Sequence, residues 1–118
     1  MSYDFKGKRV YLSGPMSELP DHNEPAFAEA KRLCINAGAE VCFNPCSAWG
    51  HHDRPRPWYM CHDLHHLTAM DGERPYFDAI VLLDGWHASD GSQLEYKVAR
   101  ECGIAQVNIR ELMAHDLR

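Results

Sequence analysis

The chain has 118 residues, one domain's length, and its 45% hydrophobic and 25% charged residues are ordinary globular usage that excludes a disordered, fibrous or repeat protein. A net charge of −5 has the wrong sign for a protein that gains affinity by neutralising many nucleic-acid phosphates, although one small anion held by backbone amides stays compatible with it. No apolar run reaches the roughly 18 residues of a spanning helix, and the N-terminus lacks a signal peptide's apolar stretch. With five cysteines read as reduced thiols, a single cytoplasmic domain over residues 1–118 is expected, without membrane or nucleic-acid partners.

Residues 8–13 form a short, mostly apolar run closed by Gly14-Pro15, the length and punctuation of a buried strand. After a polar loop, Asn23-Glu24-Pro25 opens a helix, with the Asn side chain expected to cap free amides and proline fitting the first turn. Phe27, Ala30, Leu33, Cys34 and Ala37 then recur at helical spacing until Gly38, which suits a left-handed stop. Residues 39–43 read as a second strand. Residues 46–57, rich in Pro and His and without a period, read as a long functional or mobile loop. Pro57 opens another helix in which Trp58, Cys61, Leu64 and Leu67 share one broad face, and residues 71–75 break it. Residues 78–83 are the clearest buried strand, with 84–91 as its exit loop. The next helix turns Leu94, Val98, Ala99 and Cys102 to the core and stops at Gly103; a fourth strand (104–109) and a short helix (110–117) complete the chain.

Near-continuously apolar strands alternating with helices imply an α/β, flavodoxin/Rossmann-like parallel sheet of about four strands, order 2-1-3-4, with helices on both faces. In such sheets ligands sit beyond the carboxyl ends of the strands where the strand order reverses, which directs attention to the loops leaving strands one and three.

After the third strand the chain reads Leu83-Asp-Gly-Trp-His-Ala-Ser89-Asp-Gly91-Ser92-Gln-Leu-Glu95. Ser89, Gly91 and Ser92 lie where the loop meets a helix N-terminus, whose free amides suit phosphate or another anion. Glu95 lies one turn in and leans back toward that end, where the dipole favours its ionised form and fits it to act as a nucleophile. On local pattern alone, Ser89 or Asp90 as an ordinary cap and Glu95 as a first-turn acid explain the same residues equally well.

The blocks Val10-Tyr-Leu-Ser-Gly-Pro-Met16, Asp63-Leu-x-x-Leu67 and Leu83-x-Gly-Trp-x-x-Ser-x-Gly-x-x-x-Glu95-x-x-x-Ala99 resemble the nucleoside 2-deoxyribosyltransferase superfamily. Within it, the chain is most similar to the small DUF4406-like phage and bacterial proteins related to nucleotide N-glycoside hydrolases. The resemblance covers most of the chain and implies cleavage of the N-glycosidic bond of a nucleoside or its 5′-monophosphate, by hydrolysis or transfer. It implies Glu95 as the nucleophile that forms a covalent sugar ester, and Asp63 as the carboxylate that contacts the sugar and assists the leaving base. Tyr11, Gly14, Pro15 and Met16, with the Ser17 amide, form the opposite wall, although Tyr11 reads equally as a packed core residue. Ser89, where relatives acting on free nucleosides carry a carboxylate, suits a 5′-phosphate; Asp90 beside it weakens that preference. The resemblance further implies a homodimer or larger homo-oligomer with a shared site, and no cofactor. Residues 72–77 interrupt the family spacing, which leaves Asp71 as a reserve for Asp63. A module of the same fold that binds nucleotides without turnover is the alternative; retention of both Glu95 and Asp63 favours the enzyme.

Cys42, Cys46, His51, His52, Cys61, His62, His65 and His66 are residue types that zinc accepts. They include no Cys-x-x-Cys pair and no His-Glu-x-x-His, and Cys42 and Cys61 fall on expected core positions, so no metal is expected. Trp49, His51 and His52 are instead candidates for a lid that stacks on a base.

Overall fold

The structure, a computed structural model, describes residues 4–16, 19–48 and 53–116. In chain order its elements are β1 (Arg9–Ser13), α1 (Glu24–Asn36), β2 (Val41–Phe43), a single turn α2 (Pro45–Ala48) and α3 (Arg56–Leu67). Next come the two-residue strands β3 (Met70–Asp71) and β4 (Arg74–Pro75), then β5 (Ala79–Leu82), α4 (Asp90–Glu101), β6 (Ala105–Asn108) and α5 (Ile109–Asp116).

β1 pairs in parallel with β2 on one side and β5 on the other, and β6 pairs in parallel with β5, giving the order β2-β1-β5-β6. Counted within the sheet this is 2-1-3-4, as the alternation predicts. The β1/β5 boundary is the switch point. Alternate residues of β1 serve opposite faces. Val10 and Leu12 pack with Val81 against Phe27, Ala30, Leu33 and Cys34 of α1 and Leu112 of α5, whereas Tyr11 packs with Ile80 and Leu82 against Leu67 of α3 and Ala99 of α4. α1 stops at Gly38, where φ is +100° and the amide returns to the Ile35 carbonyl.

Several boundaries differ from the sequence reading for definite reasons. Asn23 does not cap α1: a 3₁₀ turn delivers it with φ +64°, outside cap geometry, and its Nδ2 donates to the Pro15 carbonyl at 2.9 Å. It therefore ties α1 to the loop leaving β1. The expected loop over 46–57 contains the turn α2, opened by Asn44, whose Oδ1 accepts from the Cys46 amide at 3.0 Å, and the first two residues of α3. In α3, Cys61 is exposed while Asp63 and Leu67 are buried; in α4 Leu94 is exposed, as is Cys102 just beyond it, while Ser92, Glu95 and Ala99 are buried. Leu64 and Leu67 of α3 and Val98 and Ala99 of α4 pack in the core as the periodicity predicts, but both helices also bury polar residues that line a cavity, so apolar periodicity alone misses part of the inward face.

The break at residues 71–75 is a hairpin of β3 and β4. Asp71 there accepts from Arg9 Nη1 at 2.8 Å, at the end of β1 remote from Ser13, so it is an ion-pair partner and not a substitute for Asp63.

Gly14, directly after β1, runs so close to the first residue beyond β5 that a Cβ on it would lie 2.7 Å from Leu83 Cβ. Gly14→Ala is expected to cost about 1–3 kcal/mol by overpacking. Denaturant unfolding of the two proteins checks it; an unchanged midpoint would show that the two strand exits have room to part.

Candidate functional site

Parallel pairing in register brings Ser13 opposite Leu82, so β1 and β5 end together. The segments that leave them, Gly14-Pro15-Met16 on one side and α4 on the other, border a cavity of about 650 Å³. α3 closes it from a third direction with Tyr59, Met60 and Asp63, and Arg54 and Arg56 stand beside them.

Glu95 lies at the base of this cavity, 6% exposed. Its Oε1 accepts from Ser13 Oγ at 2.6 Å and its Oε2 accepts from the Tyr11 hydroxyl. Tyr11 and Ser13 are two apart on β1, so the strand's pleat presents two hydroxyls to one carboxylate. The Tyr11 oxygen also approaches the Asp63 carbonyl at 3.5 Å, which brings α3 to the same point. Burial raises the Glu95 pKa from its ordinary 4.5 to about 7; the bonds from Ser13 and Tyr11 oppose that rise, and the Asp63 charge adds to it. The Tyr11 hydroxyl is pushed well above its ordinary 10 by burial, then by Glu95 and Asp63, so it stays a donor.

Of the residues singled out in the sequence, Gly14, Pro15, Met16, Asp63, Ser89, Gly91, Ser92 and Glu95 all line the cavity. Tyr11 does not line it. It is fully buried beneath Glu95, stacked on Phe43 at 5.2 Å and edge-on to Phe77 at 5.5 Å, so its core role and its contact with the carboxylate coexist in one side chain. Ser89 is an ordinary cap of α4, its Oγ accepting from the Ser92 amide at 3.2 Å, and it also faces the cavity. Ser92, 1% exposed, has a hydroxyl with no hydrogen-bond partner among the described residues.

Sequence reasoning missed Ser13, whose signal was the period of two that pairs it with Tyr11. It also missed Arg54, Arg56, Tyr59 and Met60, which lie in or after a segment without apolar period, and His22 and Pro45, which line the cavity from before α1 and from α2. Ser17 and the proposed lid residues Trp49, His51 and His52 lie outside the described residues.

Among the described residues, the cysteines and histidines weighed as zinc ligands make other contacts. Cys61 is exposed, Cys46 Sγ donates to the His22 carbonyl at 3.4 Å, His62 stacks on Trp58 at 4.0 Å and His66 on Phe43 at 4.7 Å. Among the described residues, no group of three His, Cys, Asp or Glu side chains is placed to hold a metal ion, and no helix is long and apolar enough to cross a membrane.

A family model described as "Domain of unknown function (DUF4406)" matches residues 8–108. No curated protein and no solved structure matches the chain.

Two outcomes test this electrostatic picture. Because Glu95 holds its proton to about pH 7 when folded and only to about 4.5 when unfolded, its ionisation opposes folding: stability falls as pH rises between those values. Glu95→Gln is therefore expected to stabilise the protein by about 3 kcal/mol at pH 8, with the gain vanishing below about pH 4.5, in denaturant unfolding across pH. Ser13→Ala removes a bond that favours the charged form and is expected to raise the Glu95 pKa further, read from the carboxyl ¹³C shift in an NMR titration.

Proposed function

The chain belongs to the DUF4406 family, and from the site that this domain builds we propose that it cleaves the N-glycosidic bond of a nucleoside or nucleoside 5′-monophosphate. The observation that carries the reading is a buried glutamate with both oxygens oriented by hydroxyls, at the base of a cavity that a second buried carboxylate, Asp63, also lines. A cavity of about 650 Å³ is ample for a nucleotide-sized ligand.

In this reaction the ionised Glu95 attacks the anomeric carbon as the C–N bond breaks and its electron pair leaves with the base. Asp63 assists proton transfer to that base. The sugar ester on Glu95 is then opened by water, giving hydrolysis, or by a second base, giving transfer. Ser13 and Tyr11 fix the plane of the carboxylate, so the attacking oxygen needs little reorganisation. The resemblance to deoxyribosyltransferases supports the same assignment and suggests that a second copy of the chain completes the site.

Glu95→Gln is expected to lower base release by about a thousandfold or more while nucleotide binding survives, and Asp63→Asn to lower it by about 10²–10⁴-fold. Chromatography of free base from a panel of nucleosides and 5′-monophosphates, with and without acceptor bases, measures both. Undiminished release in Glu95→Gln would end the mechanism; binding without release by the wild-type protein would mark a nucleotide sensor. Since the ionised carboxylate is the reactive form, kcat should rise with pH through about 7; a rate flat from pH 5.5 to 8 would contradict Glu95 as nucleophile.

A further inference from the structure

The five thiols are not equivalent. Cys61 and Cys102 are exposed and Cys46 donates to the His22 carbonyl, whereas Cys34 and Cys42 meet between α1 and β2. The sheet puts them there. β2 pairs with β1 in a register that sets Cys42 beside Val10, so Cys42 stands on the sheet face that Val10 serves, the face covered by α1. Cys34 belongs to the inward stripe of α1 with Phe27, Ala30 and Leu33, and it is fully buried. The segment joining the two is short and pinned: the Ala39 amide returns to the Cys34 carbonyl at 3.0 Å, and the Glu40 amide donates to the Lys8 carbonyl at 2.8 Å. Within this unit the Cys34 thiol donates to Cys42 Sγ.

Burial and bonding give the two sulfurs different chemistry. β2 is an edge strand, and Cys42 on it is partly exposed, open to a small solute. The bond from Cys34 brings the Cys42 pKa below its ordinary 9; burial opposes that shift, and the Lys31 ammonium assists it. Cys34 is the reverse case, because the same bond and its burial push its thiol up and keep it protonated. A partly exposed sulfur with thiolate character, touching a second sulfur shielded from solvent, is the pairing that a two-step oxidation uses: one sulfur meets the oxidant and the other traps the product.

We propose that Cys42 is an oxidative modification site with Cys34 as its resolving partner, the co-reactant being a small hydroperoxide such as hydrogen peroxide. The Cys42 thiolate attacks one peroxide oxygen and the O–O bond breaks. Hydroxide leaves and takes up a proton as water, and Cys42 becomes a sulfenic acid. The Cys34 sulfur then attacks the Cys42 sulfur, the S–O bond breaks, and the departing hydroxide carries off the Cys34 proton as a second water. In all, two thiols lose two electrons, one peroxide is reduced to two waters, and a disulfide joins α1 to β2. A dithiol reductant reverses the change by exchange. Neither cysteine lines the cavity, so the assignment stands apart from the glycosidic reading.

The test uses the full chain, reduced, freed of reductant and treated with a few equivalents of hydrogen peroxide, then denatured and alkylated at its remaining thiols. Cleavage after Glu40 and after Phe43 separates Cys34, Cys42 and Cys46. Mass spectrometry should find Cys34 joined to Cys42 with the loss of two hydrogens, within a single chain on a non-reducing gel, and dithiothreitol should restore both thiols. Cys34→Ala keeps the reactive sulfur and removes the trap, so dimedone should capture the Cys42 sulfenic acid in about fivefold or greater yield than in the wild type. The wild-type cross-link is read without any variant, so the test survives a Cys34→Ala chain that fails to fold. Cys42 fully alkylated after peroxide, a bridge from Cys42 to Cys46, or oxidation confined to Cys61 and Cys102 overturns the proposal.

Discussion

The fold is organised around one costly object, a carboxylate buried to 6% exposure at the end of a parallel sheet. An isolated buried charge is expensive, so it must be hydrogen-bonded or take up a proton. Here both occur: Ser13 and Tyr11 satisfy its oxygens, and burial still holds its pKa near 7. Each surrounding element is placed by this requirement. β1 must be central for its alternate side chains to reach α4, β5 must be its neighbour for α4 to start beside Ser13, and Gly14 must lack a Cβ so that the two strand exits can run together.

The same requirement explains which parts of the molecule were legible in the sequence. Apolar strands and glycine stops obey local rules, so the strands of the parallel sheet and the end of α1 at Gly38 were readable. The inward faces of α3 and α4 were readable from periodicity only at Leu64, Leu67, Val98 and Ala99, because apolar periodicity assumes that the buried stripe is hydrophobic and passes over Asp63, Ser92 and Glu95. Around the cavity the buried stripe is Ser92-Glu95-Ala99 and Asp63-Leu67, and Leu94, the residue the pattern favours, is 43% exposed. Ser13 was hidden for a related reason: it resembles the polar end of a strand, and only its pairing with a glutamate 82 residues away gives it a role. Arg54 and Arg56 belong to a stretch with no period, where sequence offers composition but no direction.

Asp71 illustrates the opposite case, a residue that spacing made plausible and topology removed. The segment that displaced the family pattern is a hairpin, and it carries Asp71 to Arg9 at the far end of β1, where the arginine also lies 4.3 Å from the Tyr76 ring centroid. An exposed pair of this kind contributes little stability. Its effect is to seat the hairpin against the sheet end away from the cavity, so the interruption between α3 and β5 leaves Asp63 in place.

Two hydroxyls, and not a cation, are the partners that suit a buried carboxylate meant to react. A lysine or arginine in the place of Ser13 would draw the Glu95 pKa well below the neutral range and make the carboxylate a weaker nucleophile. Leaving it without donors would let burial and Asp63 drive the pKa upward until little ionised form remained near neutrality. Neutral donors sit between these limits: they orient both oxygens and moderate the cost of charge without cancelling it. The cations of the site, Arg54 and Arg56, stand instead on exposed parts of its lining. Separating an oriented acid at the base from positive charge on exposed lining residues gives the cavity an electrostatic direction.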